Sequence, residues 1–323
     1  MSKTTTEIIN AINAADTVLV VGHIRPDGDC VGSVLAMRRI CERLGKTADG
    51  VCDGDKPPSY AFLPDYEYYC APRYKKYDLV IAVDCATVSR LGEYRAALEN
   101  AKYSINIDHH HTNERYGKLN YIVPEACSTC YILFDLFKDA DGLIDTDTAK
   151  MLYTGLSTDT GHFMHSNTTA EVFRTAAELC TYGIDIAGLN HDLYCNNKFN
   201  KVKLTARAIG GIVLYENGKI AVMNITLNDL KECGCTSEDT EGLINNASSI
   251  AGVKIAVSMC EQPGNLFRVS FRSVSADVSK AAATFGGGGH KLAAGCIVCG
   301  NRYDVLEKVV AAATEALNSE RID

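Results

Sequence analysis

Thr17-Val18-Leu19-Val20-Val21-Gly22-His23-Ile24-Arg25-Pro26-Asp27-Gly28-Asp29 decides how the chain folds. The first five residues are β-branched or aliphatic, the composition of a strand. The run continues to Gly22 and stops in a polar loop carrying one histidine and two aspartates, and a helical pattern follows from Val31 to Leu44. The same arrangement recurs downstream. Asp78 to Val83 is a near-continuous apolar run ending at Asp84-Cys85, and the run Tyr103 to Ile107 ends at Asp108-His109-His110-His111. Unbroken apolar runs fit strands buried on both faces of a parallel sheet. Strands alternating with helical patterns therefore predict an α/β domain, a parallel sheet with helices on both faces. Helical patterns resume after Asp145, through Leu152, and again from Ala170 to Tyr182.

Beyond about Val202 the pattern changes. Gly211 to Tyr215 and Lys219 to Ile225 are strand-like and joined by Glu216-Asn217-Gly218, a hairpin signal because Asn-Gly tolerates positive φ at both positions. Val253 to Cys260 and Leu266 to Arg272 form a second candidate hairpin through Gln262-Pro263-Gly264, and helices are expected at Val278 to Thr284 and Val305 to Leu317. The expected organisation is an α/β domain over residues 1–185, a linker over 186–201, and a smaller α+β domain over 202–323.

The ionisable residues collect where open α/β sheets place their ligands, just past the carboxyl ends of strands. Asp27 and Asp29, two apart in what reads as an extended loop, can serve different ions, and Asp84 is assigned as a carboxylate shared between them. Two ions so bridged stand roughly 3.5–4 Å apart and activate water against a phosphate. A fourth piece, Ser157-Thr158-Asp159-Thr160-Gly161, ends a helical pattern. Singly, each residue has an ordinary explanation: Asp84 as a helix cap, Asp159 as a turn residue, the histidines as a solvated loop. Falling together at the ends of three strands, they point to a metal site. Phosphate-loop, dinucleotide-fingerprint and nucleophile-elbow motifs do not occur.

With 32 Lys plus Arg against 40 Asp plus Glu, the formal net charge of −8 disfavours coating long nucleic acid, where affinity comes from neutralising many phosphates. No apolar run approaches a membrane span and the N-terminus does not resemble a secretory signal, so a cytoplasmic location is expected. Most of the fourteen cysteines are then expected to be reduced thiols. Of the close pairs, Cys127/Cys130, Cys233/Cys235 and Cys296/Cys299, the last lies in a predicted strand that would turn its two thiols to opposite faces.

The stretch from Gly22 to Ser33, together with Val83-Asp84-Cys85, Asp108-His109-His110 and Asp159-Thr160-Gly161, resembles the four motifs of the DHH phosphoesterases, a superfamily that includes RecJ exonucleases and manganese-dependent pyrophosphatases. Val269-Ser270-Phe271-Arg272-Ser273 and Gly286 to Gly295 resemble the DHH-associated domain. The ordered set is most similar to the nanoRNase/oligoribonuclease and pAp phosphatase group, where pAp is 3′-phosphoadenosine 5′-phosphate. The resemblance implies two divalent ions, Mn²⁺ by family habit. His23, Asp27 and Asp84 would hold one; Asp29, Asp84, His109 and Asp159 the other. His110 would bind the scissile phosphate, and Asp108 would orient the histidines. His111 and Asn113 are candidate substrate contacts, as are Arg268, Arg272, Ser273, Gly287, Gly288, Gly289 and His290 in the second domain, which is expected to close over the substrate. The implied substrates are short oligonucleotides, pApA among them, or nucleoside bisphosphates, with no long duplex and no membrane partner. A homodimer is one option for the oligomeric state. The competing readings are a RecJ-like single-strand exonuclease, a pyrophosphatase and a nucleotide-binding regulator without catalysis.

Overall fold

Residues 3–319 are described by a computed structural model of the chain. Its contacts divide into two units, Met1–Asn196 and Asn197–Asp323. The first opens with α1 (Lys3–Asn13), β1 (Thr17–Val21), α2 (Gly28–Arg43) and β2 (Thr47–Val51). It continues through β3 (Leu79–Val83), α3 (Arg95–Asn100), β4 (Tyr103–Asp108) and β5 (Leu119–Ile122), and closes with α4 (Thr129–Phe137), α5 (Thr146–Asp159), α6 (Ala170–Cys180) and α7 (Ile186–Asn190).

The five strands make one sheet in the order β2-β1-β3-β4-β5, every pair parallel. Alternation along β1 assigns the two faces. Val18 and Val20 join a core with α1, α2, α4, α5 and α6, while Leu19 and Val21 pack with Leu98 of α3 and with Leu91 on the other side. All five residues of β3 are buried, as a central strand covered by helices on both faces requires. The α/β reading thus stands, and β1, β3 and β4, the three strands whose ends carry the acidic and histidine motifs, are neighbours in the sheet.

One local expectation is corrected. The helix after β1 starts at Gly28 rather than Val31, because Asp27 is its N-cap and accepts a hydrogen bond from Cys30 N at 3.1 Å. Asp29 therefore sits in the first helical turn and not in an extended loop. Helices α2 and α5 cross closely at Gly32 and Gly155. A Cβ on Gly32 would stand 2.5 Å from the Met151 carbonyl, and one on Gly155 would collide with Cys130 Sγ and the Asp29 carboxylate. These two glycines let α5 approach the carboxylate at the start of α2.

The second unit comprises α8 (Phe199–Gly210), β6 (Val213–Tyr215), β7 (Ile220–Ile225), α9 (Leu227–Cys233), α10 (Ile244–Ser248), β8 (Ile255–Gln262), β9 (Leu266–Ser273), α11 (Val278–Ala283), β10 (Gly288–His290), β11 (Ala293–Cys299) and α12 (Arg302–Ser319). Its six-stranded mixed sheet has the order β10-β11-β9-β8-β7-β6. Both expected hairpins form: β6–β7 turns through Glu216 and Asn217 at φ 51° and 54°, and β8–β9 through Gly264 and Asn265. Helices α11 and α12 cover one face and α8, α9 and α10 the other. On β11, Cys296 is buried and Cys299 exposed, as strand alternation predicts. The segment 186–201, expected as a connector, is largely helical, running through α7, the turn His191–Cys195 and the start of α8. Among the described residues no helix is long and apolar enough to cross a membrane.

Candidate metal centre

Asp84 follows β3 directly and is 2 % exposed. Its backbone takes φ 53°, a left-handed conformation unfavourable for a residue with a Cβ, so surrounding contacts must hold it there. Its two oxygens face different neighbours. Oδ2 lies 3.5 Å from His23 Nε2, whereas Oδ1 lies 3.5 Å from His109 Nε2 and accepts a hydrogen bond from Thr129 Oγ1 at 3.1 Å. A carboxylate that spreads its oxygens between two imidazoles has the form needed to bridge two cations.

Two more carboxylates complete the surroundings. Asp159, the last residue of α5, lies 3.3 Å from His109 Nε2. Asp29 is fully buried and accepts from Thr129 N at 2.6 Å and Cys130 N at 2.9 Å, two otherwise unpaired donors at the start of α4. Asp29, His109 and Asp159 each offer a ligand atom within 4.8 Å of the other two, and His23, Cys30 and Asp84 form a second such group. Asp84, Asp108, His109 and His110 form a third. Asp27 is more exposed; its carboxylate stands 3.9 Å from His23 Nε2.

The imidazoles are oriented from behind. His23 Nδ1 lies 2.8 Å from the Ile24 carbonyl and His109 Nδ1 lies 3.3 Å from the Ala126 carbonyl, an arrangement that leaves each Nε2 lone pair facing the carboxylates. Arg90 Nη2 stands 3.0 Å from the same His23 Nδ1. His110 is turned the other way, with Nδ1 bonded to Asp108 Oδ1 at 2.7 Å; Asp108 also accepts from His109 N and from Asn113 Nδ2.

Electrostatics separate these groups. Burial, reinforced by the neighbouring carboxylates Asp29 and Asp27, pushes the carboxyls of Asp84 and Asp159 well above the usual range. Burial also lowers His23, keeping it neutral and able to donate its lone pair. For His110, burial pulls downward, but the bond and charge of Asp108 outweigh it and the net shift is upward. Among the described residues no Lys or Arg forms an ion pair with Asp27, Asp29, Asp84 or Asp159, and the partners of Asp27, Asp84 and Asp159 are histidines. Buried carboxylates without a cation are costly, and a mixed oxygen and imidazole donor set suits a first-row divalent ion.

Five of the six expected ligands, His23, Asp29, Asp84, His109 and Asp159, thus fall in close ligand groups at the ends of β1, β3 and β4 and of α5, while Asp27 stands at their edge as the cap of α2. The expected substrate residues are more dispersed. His111 is exposed. Asn113 turns its amide to Asp108 and to the Cys85 carbonyl. In the second unit, Arg268 donates to the Ser237 carbonyl and Thr240 Oγ1, and Ser273 Oγ donates to Lys254 O while accepting from Ala276 N. Arg272 is exposed, bonded to the Phe271 carbonyl. Gly287 and Gly289 are required by packing: a Cβ on either would strike β11, whereas Gly288 faces open space and His290 is exposed. Sequence reasoning missed Thr129, Arg90 and the thiol of Cys30. Ser128-Thr129 before an apolar run is a helix-start signal that could have marked Thr129; nothing in the sequence singles out Arg90.

The family model for the DHH family, N-terminal domain, matches residues 17–156, and that for the DHHA1 domain matches 217–319. The bifunctional oligoribonuclease and PAP phosphatase of Bacillus subtilis is 30% identical over 309 residues, covering 95% of this chain and 96% of the relative. That of Thermus thermophilus is 31% identical, covering 96% and 93%. Among solved structures, an exopolyphosphatase-related protein from Bacteroides fragilis superposes with a TM-score of 0.90 at 24% identity, covering 99% and 98% of the two chains.

Proposed function

The chain belongs to the DHH family, and from that premise we propose that it is a metal-dependent phosphoesterase cleaving short oligoribonucleotides and the 3′-phosphate of pAp. The observation that carries the reading is the buried Asp84 carboxylate, its oxygens divided between His23 and His109 with no Lys or Arg among the described residues paired to it. In this reading His23, Asp27 and Asp84 hold one divalent ion, and Asp29, Asp84, His109 and Asp159 the other, with Mn²⁺ the proposed species. Ions bound there supply charge neutralisation at phosphorus and lower the pKa of water.

The protein's own groups do the rest. Asp108 fixes His110 through Nδ1 and shifts it toward the protonated form, which suits it to a scissile phosphate oxygen. Thr129 pins Asp84 in its left-handed conformation and, through its backbone N–H, anchors Asp29. His23 and His109 keep their lone pairs inward through their backbone carbonyl partners. The second unit is assigned recognition, with Arg272 suited to a nonscissile phosphate or a base face. The net charge of −8 supports short substrates over long strands. Fourteen free thiols support a reducing, cytoplasmic setting. The RecJ-like alternative draws on a structural likeness at a TM-score of 0.54 and 14% identity, which bears on fold alone.

The test is turnover of pAp, pApA and a long single strand by the Mn²⁺-loaded protein. Mononucleotide release from pApA or loss of the 3′-phosphate from pAp, faster than attack on the polymer, is expected. No release from either short substrate, with metal confirmed bound, would end the proposal.

A further inference from the structure

Nine arginines belong to the first unit, and six of them, Arg38, Arg39, Arg43, Arg73, Arg95 and Arg174, form ion pairs with carboxylates. Among the described residues, the three that do not are Arg25, Arg90 and Arg115. Arg25 follows β1, Arg90 follows β3 and Arg115 follows β4, so all three stand on the edge of the sheet that carries the expected metal ligands. Hydrogen bonds join their loops. Ile24 N donates to the Arg90 carbonyl at 2.9 Å and Glu114 N to the Ala86 carbonyl at 2.9 Å, while the Glu114 carboxylate accepts from Val88 N at 3.1 Å. Arg25 and Arg115 hold φ of 55° and 54°, left-handed backbone that a residue with a Cβ adopts at a cost.

Arg90 is half-buried and the other two are exposed. Its Nη2 stands 3.0 Å from His23 Nδ1, but the proton of that nitrogen is directed to the Ile24 carbonyl. N–H then faces N–H and no hydrogen bond results. The guanidinium is held one imidazole ring away from the lone pair that His23 offers to an ion, with no acceptor of its own. Its charge is felt at His110 as well. In the two-ion reading, two divalent cations balance the carboxylates of Asp27, Asp29, Asp84 and Asp159. The charges of the three arginines then remain uncompensated until an anion arrives. Guanidinium offers paired N–H groups that match the oxygens of a phosphate.

The two short substrates share a chemical feature. Hydrolysis of pAp or of pApA to mononucleotides breaks a P–O3′ bond. The oxygen of water joins phosphorus, and the 3′-oxygen leaves as the alcohol of adenosine 5′-phosphate. In both, the leaving nucleotide carries a 5′-phosphate that is not cleaved. We propose that Arg90, flanked by Arg25 and Arg115, binds this 5′-phosphate and makes the protein selective for substrates that bear one. The inference rests on the phosphoesterase reading above and narrows its substrate class to 5′-phosphorylated nucleotides, which leaves a base face to Arg272.

The test compares kcat/KM for pApA and for ApA, the same dinucleotide without its 5′-phosphate, using the Mn²⁺-loaded full chain. The native protein is expected to favour pApA by at least about 10-fold, the scale of one charge-assisted hydrogen bond. Arg90→Gln and the double variant Arg25→Gln/Arg115→Gln should each bring that ratio several-fold closer to one, and Arg90→Lys, which keeps the charge, should restore part of it. Both dinucleotides are cleaved at the same centre, so a loss of metal or of folded protein cancels from the ratio. Arg95→Gln, which breaks an ion pair with Glu99 on α3, should leave the ratio at its native value. A native ratio near one, or a ratio untouched in Arg90→Gln or in the double variant, would overturn the 5′-phosphate site and leave the phosphoesterase reading in place. Turnover of neither dinucleotide nor pAp would overturn both.

Discussion

At its C-terminal end α2 carries Arg38, Arg39 and Arg43, and three aspartates gather around them. Arg39 bonds Asp65 and Asp145 at 2.8 Å each, and Arg43 bonds Asp145 at 2.7 Å, with Asp147 alongside. At its N-terminal end the same helix carries Asp29, near Asp84 and Asp159, and among the described residues no arginine or lysine pairs with any of them. The titration behaviour divides accordingly. Burial alone would raise Asp145, but bonds from Arg39 and Thr148 outweigh it and hold the carboxyl well below its usual range. Asp84 and Asp159, buried among other carboxylates, are pushed well above it. One end of the helix carries its own cations; the other is built to import them.

The largest expected effect tests the importing end. Asp84→Asn removes the shared charge and should lower kcat/KM by more than about 10³-fold, the scale of several kcal/mol of lost charge stabilisation. The metal-free variant should melt no lower than the native protein, because a costly buried charge has gone. Turnover at the native rate would mean that the site lies elsewhere.

The self-sufficient end should respond in the opposite way. Asp145→Ala removes the arginine bonds and the N-cap of α5; denaturant titration should show a loss of roughly 2–3 kcal/mol. With metal saturating, kcat should stay near the native value. A variant as stable as the native protein would show that this cluster is not what secures α2.

Acidity separates the ends further. Asp145, with its carboxyl held low, contributes stability above the usual carboxylate pKa that is lost as pH falls through its folded value. Asp84 and Asp159, held high, contribute stability that is present below the usual carboxylate pKa and lost as pH rises through their folded values. Bound cations replace those protons, so calorimetric titration should find divalent binding weaker at pH 6 than at pH 8, by up to about 10-fold per pH unit for one displaced proton. Equal affinity at the two pH values would speak against carboxylate and imidazole ligation.

How much of this was legible beforehand follows from where burial is complete. Strands β1, β3 and β4 occupy the middle of the sheet, so their sequences are unbroken apolar runs. Strands β2, with Asp49 and Gly50, and β5, with Asn120, lie at its edges and carry no such pattern, and both escaped notice. The hairpins of the second unit were visible in Asn217-Gly218 and Pro263-Gly264, because positive φ demands particular residues. The start of α2 was misjudged because Asp27, read only as a ligand, is also a cap. Among the site residues, those at strand ends could be read from their position. Thr129 stood only as part of a helix-start signal, and Arg90 could not be read at all, since it acts by contacts that exist only once distant elements meet.

The smallest effect concerns the second unit. Arg272→Ala should raise KM for a dinucleotide about 5-fold, near 1 kcal/mol of lost binding, and leave kcat little changed. A fall in kcat at constant KM would assign Arg272 to the reacting phosphate instead.

The central claim is that His23, Asp27, Asp29, Asp84, His109 and Asp159 hold a pair of cations around one carboxylate. Anomalous diffraction from crystals grown in Mn²⁺ addresses it directly. Two peaks roughly 3.5–4 Å apart, one on each side of Asp84, are predicted. A single peak remote from Asp84, or none at saturating Mn²⁺, would contradict the account.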